Sequence, residues 1–363
     1  MFDQLSEMGH ERVLFCSNPD VGLRAIIAVH STVLGPGLGG LRMWPFKDFE
    51  EALTDVLRLS RGMTYKAAAA GLNLGGGKAV ILGDPKTEKS EALFRSFGRY
   101  VESLNGLYIT AEDVGTDMED METILTETRW VTGVSPAHGG SGDPSPVTAY
   151  GVLQGIKAAV MWRFESASLE NRVVAIQGLG SVGYYLAKYL KERGASVIGA
   201  DIDAESVDRA ESELGVKIVK PDDITRVECD IFAPCALGAT LNPETIPSLQ
   251  CGIVAGAANN QLGHMQRDGE ALHKRGILYA PDFVINAGGL INVYNELSGD
   301  YNQDRALRMT RGIYLNLMRV FEISKTEGVP TNVAADRMAE ERIAKIDRLG
   351  ARHWGRFINN HRS

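Results

Sequence analysis

Between residues 173 and 201 the chain runs strand, glycine turn, helix, strand and acid without a break, and few folds accept that order. Val173-Val174-Ala175-Ile176 is an apolar, β-branched run of strand type. Gly178-Leu179-Gly180-Ser181-Val182-Gly183 follows, then a helical pattern from Tyr184 to Arg193. Ser196 to Ala200 is a second strand, closed by Asp201, 23 residues after Gly178. A lone G-x-G-x-x-G carries little weight, but in this order it is the dinucleotide-binding fingerprint of a parallel βαβ unit. The first glycine makes the turn, the second admits a pyrophosphate, and the third lets the helix pack on the strand. Free N–H groups at the helix N-terminus then hold the phosphate, which makes Gly178, Gly180, Ser181, Val182 and Gly183 cofactor-binding candidates. Asp201 would accept hydrogen bonds from ribose hydroxyls. With Asp203 beside it, it would repel a 2′-phosphate, so the pattern favours NAD over NADP.

The strand–helix alternation continues through Lys217-Ile218-Val219, Asp230 to Pro234, Ile253 to Gly256 and Ile277 to Ala280. A doubly wound α/β domain binds its ligand at the carboxyl ends of its strands, so Ala236, Asn259, Asn260 and Asn286 are further cofactor-facing candidates. A long helix is expected from Arg305 to Thr326, and a second from about Val333 to Arg348 returns the chain to the first domain. At 363 residues a single core is exceeded, and two α/β domains separated by a cleft are predicted. The first comprises 1–146 and the return 331–363; the Rossmann-type domain comprises 147–330. The glycine- and proline-rich stretch His138 to Pro146 is the expected hinge, with His138 a surface residue.

The N-terminal part carries a different signal. Ala25 to His30 reads as a strand, Pro36 to Trp44 as a glycine-rich connection, and Asp48 as the cap of a helix. Ala52, Leu53, Val56, Leu57 and Ser60 give that helix a buried stripe. It leads to Lys66; Gly75-Gly76-Gly77-Lys78 follows, ahead of the strand Ala79 to Leu82. Two lysines twelve positions apart thus bracket a segment of small residues with almost no other charge. A lysine held there loses water, and its pKa falls toward the range of an acid–base group. Ala92 to Leu104 reads as a further helix and Leu107 to Thr110 as a strand. Asp113, just beyond it, is a carboxylate placed to face a cleft.

These segments carry a resemblance. Gly-Gly-x-Arg-Met at 39–43, Gly-Met-Thr-Tyr-Lys at 62–66, Gly-Gly-Gly-Lys at 75–78, Thr-Ala-Glu-Asp-Val-Gly at 110–115 and Ile-Asn-Ala-Gly-Gly at 285–289 resemble the glutamate, leucine, phenylalanine and valine dehydrogenases, the leucine branch most. The likeness runs nearly end to end. It implies reversible oxidative deamination of an L-amino acid to a 2-oxo acid and ammonia, with NAD as hydride acceptor. It implies that Lys66 binds the substrate carboxylate, that Lys78 is the low-pKa catalytic lysine and that Asp113 shuttles the amine proton. Gly39 and Gly40 would contact the amino acid through their backbone, and Thr148 and Asn260 would lie on the nicotinamide or substrate side. A homo-oligomer is implied as well.

By the same resemblance the side-chain pocket is lined by Leu38, Ala111, Leu290 and Val293. All four are uncharged, which excludes glutamate as main substrate and favours leucine, isoleucine and valine, as in branched-chain catabolism. Ala-Asn-Asn at 258–260 also occurs in aromatic-preferring members, and Gly288 to Glu296 resembles a tryptophan-dehydrogenase relative. Aromatic preference or broad specificity therefore stays open. A 2-hydroxy-acid dehydrogenase would lack its catalytic histidine–carboxylate pair, and a non-enzymatic NAD sensor would leave both lysines without a role.

Net charge is −8, and no basic run appears, so neither nucleic acid nor an anionic membrane is an expected partner. Met1-Phe2-Asp3-Gln4 has no signal-peptide character, no apolar stretch approaches a membrane span, and a cytoplasmic protein is expected. Cys16, Cys229, Cys235 and Cys251 have no C-x-x-C spacing; the last three are expected to fill core positions, and neither metal ligation nor a disulfide is expected.

Overall fold

The computed structural model describes residues 2–236 and 238–349, so the end of the expected return, 350–363, lies outside the described residues. The chain divides into two compact units. One holds Met1–Gly142, Val293–Asn302 and Ala339–Ser363; the other holds Asp143–Asn292 and Gln303–Met338.

The first unit is built on five strands, β1 (Arg12–Asn18), β2 (Leu23–Ser31), β3 (Gly37–Trp44), β4 (Gly75–Leu82) and β5 (Tyr108–Glu112). Their order is β1-β2-β4-β3-β5, with β3 parallel to both β4 and β5 and β2 antiparallel to β1 and β4. The helix Phe49–Ala69 covers one face, and its stripe Ala52, Leu53, Val56 and Leu57 packs on Ile26, Ala28 and Val80. Asp48 caps it by accepting from Glu51 N at 2.9 Å. The carbonyls at its far end are met by a cation. Arg342, on the helix Thr331–Asp347, donates to Leu72 O at 2.6 Å and Gly71 O at 3.1 Å, where the helix dipole favours positive charge. Ala339, Ile343 and Ile346 of the same helix pack around Leu34 and Ala68.

Two glycine-rich stretches differ from expectation. Pro36 to Trp44 is no connection, for β3 begins at Gly37, and the strand expected from Ala79 begins at Gly75, so the triplet Gly75-Gly76-Gly77 belongs to β4. None of the three has a positive φ. What they provide is proximity. A Cβ on Gly39 would overlap the Gly77 carbonyl oxygen, one on Gly75 the Ser31 carbonyl, and one on Gly77 would lie 2.6 Å from Tyr108 Cδ2. Glycine breaks the usual strand preferences here because neighbouring segments of the sheet, and at Gly76 the helix residues Ser60 and Thr64, approach too closely for side chains.

The second unit has β6 (Val173–Gln177), β7 (Ser196–Ala200), β8 (Lys217–Ile218), β9 (Ile231–Pro234), β10 (Ile253–Val254) and β11 (Leu278–Tyr279). All pairs are parallel and the order is β11-β10-β9-β6-β7-β8, a doubly wound sheet with its switch point between β6 and β9. Phe232, Val254, Leu272, Ile277 and Tyr279 belong to one core cluster. The helix Ser145–Phe164 carries no amphipathic stripe because it is buried nearly all round, from Val147 and Ala149 to Ala159 and Val160. Gly155 lets it meet Ile285 and Leu317.

The expected helix from Arg305 to Thr326 is two helices, Gln303–Thr310 and Gly312–Glu327, with a turn at Arg311. Thr310 Oγ1 donates back to Ala306 O at 2.8 Å, and Gly312 follows directly. Such back-bonding bends a helix, and glycine removes the side chain that would stiffen the next turn.

Candidate active site

The parallel strands β3, β4 and β5 bring the sequence motifs together. Leu38 lies opposite Gly76 and Leu41 opposite Ala79, a register that sets Gly40 beside Lys78; on its other side Gly40 faces Ala111. Asp113 follows β5 immediately. Its backbone N–H donates to Thr116 Oγ1 at 3.0 Å, and that hydroxyl donates to Leu41 O at 2.7 Å. Gly115 takes a positive φ of 82°, and a Cβ there would strike Met43 O. The carboxylate thus stands on a turn stitched to β3. Gly40 leaves it room, since a Cβ at that position would be 2.8 Å from Asp113 Cβ.

Lys78 Nζ donates to Asp113 Oδ2 at 2.6 Å and is only 5% exposed. Burial lowers its pKa, although Asp113 pulls the other way by Coulomb attraction and hydrogen bonding. For Asp113, burial acts to raise the carboxyl, but Lys78 and Arg42 outweigh it and hold the group below its usual range. The pair therefore contains a persistent anion and a cation that releases its proton more readily than a free lysine.

Arg42 completes the cluster, a role that its place in the Gly-Gly-x-Arg-Met motif does not reveal. Its Nε donates to Asp113 Oδ2 at 3.1 Å and its Nη1 to Asp55 Oδ2 at 2.8 Å. A charge in the middle of an apolar strand was the available signal. Asp55, on the helix Phe49–Ala69, also takes Arg58, so charges of alternating sign run from that helix to Lys78. Lys66 is half-buried in the last turn of the same helix. Tyr108 backs the site from within, its hydroxyl donating to Gly39 O at 2.7 Å.

Leu38 and Ala111 are buried neighbours in this sheet, while Leu290 and Val293 lie three residues apart on the helix Gly288–Tyr294. The stretch 133–141 is tied down by a residue the motifs did not single out. Glu296, itself buried, accepts from Gly133 N at 2.9 Å, Ser141 N at 3.0 Å and the Ser141 hydroxyl. Burial raises its pKa. His138 is exposed and hydrogen-bonds Glu122 at 3.0 Å.

In the second sheet the glycine loop has the form that a bound pyrophosphate requires. Gly178 sits at φ 96°, and a Cβ on it would be 2.7 Å from Ala236 N; a Cβ on Gly183 would overlap Gly178 O. At Gly180 an added Cβ meets nothing within 4 Å. The helix Ser181–Lys191 begins there without a side-chain cap, so its first N–H groups are open to an anion. Asp201, after β7, accepts from Leu179 N at 2.6 Å and from Asp203 N at 2.9 Å. Asn286 donates to Ala257 O at 3.0 Å and Asn259 Oδ1 at 2.7 Å, while its buried Oδ1 has no hydrogen-bond partner. Asn260 is left-handed at φ 51°, and Thr148 Oγ1 donates to Pro144 O at 3.0 Å. Gly180, the uncapped helix and the orphaned Asn286 oxygen fit a dinucleotide. Among the described residues no group of three or more His, Cys, Asp or Glu could hold a metal ion, and no helix is long and apolar enough to cross a membrane.

Comparison with known proteins agrees with this geometry. Residues 10–130 match the model for the Glu/Leu/Phe/Val dehydrogenase dimerisation domain, and 139–207 and 200–348 match the Glutamate/Leucine/Phenylalanine/Valine dehydrogenase model. A leucine dehydrogenase of Thermoactinomyces intermedius is 58% identical over 343 residues, covering 94% of this chain and 93% of that one. A phenylalanine dehydrogenase of Caldalkalibacillus thermarum is 48% identical over 355 residues, covering 96% and 95%. The crystal structure of L-tryptophan dehydrogenase from Nostoc punctiforme superposes with a TM-score of 0.87 at 48% identity, covering 96% of this chain and all of the other.

Proposed function

The chain belongs to the Glu/Leu/Phe/Val dehydrogenase family, and on that premise we propose that it oxidatively deaminates branched-chain aliphatic L-amino acids. Leucine, with valine and isoleucine, is converted reversibly to the 2-oxo acid and ammonia. Relatives named leucine dehydrogenase are more similar to it, at 56–58% identity, than those named tryptophan or phenylalanine dehydrogenase, at 48–50%. The observation that carries the chemistry is Lys78, buried and 2.6 Å from Asp113, with burial depressing its pKa.

Lys66 is assigned the substrate carboxylate, which orients the α-hydrogen. Lys78 as neutral amine takes the proton of the attacking water, and as ammonium it polarises the substrate oxygen. Asp113, held ionised by Lys78 and Arg42, exchanges the amine proton. The backbone of Gly39 and Gly40 supports the bound amino acid, and the uncharged Leu38, Ala111, Leu290 and Val293 suit an aliphatic side chain. The pyridine nucleotide, when bound, supplies the hydride acceptor. Gly178, Gly180, Ser181, Val182 and Gly183 would hold its pyrophosphate, and Asp201 its ribose, with NAD preferred because a 2′-phosphate would meet two carboxylates. Ala236, Asn286, Asn260 and Thr148 are assigned to its nicotinamide half. A cytoplasmic homo-oligomer is the matching assembly, supported by the match to a dimerisation-domain model.

NADH formation at alkaline pH with leucine, valine, phenylalanine, tryptophan and glutamate tests the reading. Highest kcat/KM with leucine or valine is expected. Preference for phenylalanine or tryptophan would keep the chemistry and overturn the aliphatic pocket; no activity with any of the five would overturn the dehydrogenase reading.

A further inference from the structure

Two of the four cysteines stand face to face in the second sheet. β9 and β10 pair Ile231 with Ile253 and Phe232 with Val254. An isolated parallel bridge extends the ladder back to Glu228 and Gln250 at the same offset, so Cys229 lies directly opposite Cys251. The backbone bond from Cys229 N to Gln250 O, 3.1 Å, holds the two strands together there. Side chains at opposed positions of neighbouring parallel strands share a face at about 4.8 Å spacing, within the roughly 4.4–6.8 Å Cα separation that a disulfide spans. That placement couples the two thiols electrostatically, raising Cys229 and lowering Cys251. Both residues flank the core cluster and are only partly buried. Arg275, whose guanidinium is pinned by the carbonyls of Ile246 and Leu249, brings positive charge to Cys251.

We propose that Cys229 and Cys251 form a peroxide-oxidisable dithiol, with Cys251 as the attacking sulfur and Cys229 as the resolving one. The division of labour follows from their surroundings. The neighbouring Cys229 thiol, aided by Arg275, outweighs burial and lowers the Cys251 thiol, while Cys229 itself is pushed up. Cys16 and Cys235 are each pushed up to about 12 by burial. The Cys251 thiolate attacks one oxygen of hydrogen peroxide, the O–O bond breaks, and hydroxide leaves a sulfenic acid behind. Cys229 then attacks that sulfur, its proton goes with the departing hydroxide as water, and an S–S bond joins β9 to β10. Two thiols lose two electrons to one peroxide. The bond forms at the amino ends of these strands, whereas Ala236 and Asn260 follow their carboxyl ends, so cofactor-dependent turnover persists in the oxidised protein.

The test is to expose the full-length protein with NADH bound to hydrogen peroxide, count free thiols and map them by peptide mass. The expected result is a fall from four thiols to two, with a peptide pair joined through Cys229 and Cys251 and reversal by dithiothreitol. Cys229→Ser should stop at a Cys251 sulfenic acid that dimedone traps; Cys251→Ser should slow thiol loss at Cys229 at least tenfold. An unchanged thiol count, loss mapping to Cys16 or Cys235, equal oxidation of Cys251→Ser, or a covalent dimer through either residue would each overturn the proposal.

Discussion

The two sheets use glycine for opposite ends. In the first, Gly39, Gly40, Gly75 and Gly76 let backbone meet backbone and Gly77 leaves room for the Tyr108 ring, and what that close packing surrounds is a set of fixed side-chain charges: Lys78, Asp113, Arg42 and Asp55. In the second, Gly178 and Gly183 close a turn, while Gly180 leaves open space before bare helix N–H groups. One site is assembled from charged side chains that tertiary packing has desolvated; the other is made of backbone and exists once a local turn has formed. A site of the first kind shifts pKa values, because the charges are held away from water. A site of the second kind recognises an anion without titrating.

The sharpest way to break the contrast is Lys78→Ala. Turnover should fall about 10³-fold or more, since one group supplies both proton transfer and charge stabilisation, while NADH binding followed by fluorescence persists. Equal loss of NADH binding would mean that the two sites are not separable in this way. Next come the glycines. Gly39→Ala should cost about 3 kcal/mol or more of stability in thermal unfolding, because the new methyl meets a backbone oxygen with nowhere to go. Gly180→Ala should leave the melting temperature nearly unchanged and raise the Kd for NADH instead. If both variants unfold alike, glycine serves one purpose in the two sheets, not two.

A smaller effect is expected at Asp201. Removing its charge in Asp201→Ala should narrow the NAD/NADP preference roughly tenfold, about 1.4 kcal/mol, read from the ratio of kcat/KM values. The least effect, and the most diagnostic of a charge network, concerns pH. Arg42 disfavours the ammonium of Lys78 and favours the carboxylate of Asp113. In Arg42→Gln both groups should titrate higher. Neutral Lys78 is the form needed for deamination, so the rise of kcat/KM with pH should move to higher pH. A profile that keeps its midpoint, or moves it down, would remove Arg42 from the network.

Much of this was legible in the chain. Glycine spacing and a terminal acid announce the second sheet, since its turn and phosphate site are local: strand, turn and helix are contiguous, and Gly178 to Asp201 spans one βαβ unit. The stripe Ala52, Leu53, Val56, Leu57 and Ser60 was readable for the same reason, because a helix repeats within a few residues. The helix Ser145–Phe164 was not, because burial on all sides leaves no period to detect. Nor was the break at Arg311, which depends on a threonine hydroxyl choosing its own helix carbonyl.

By itself the sequence determined which residue types were available, Lys66, Lys78 and Asp113 among small residues, and which local motifs they lay in. Only the tertiary structure decided that Lys78 and Asp113, 35 residues apart, would meet at 2.6 Å, and that Arg42 and Asp55 would join them. It also drew Gly75-Gly76-Gly77, ahead of the expected strand, into β4. The physical reason is range. A dihedral preference acts on neighbours in the chain, whereas excluded volume, burial and Coulomb attraction act on whatever strand pairing brings alongside.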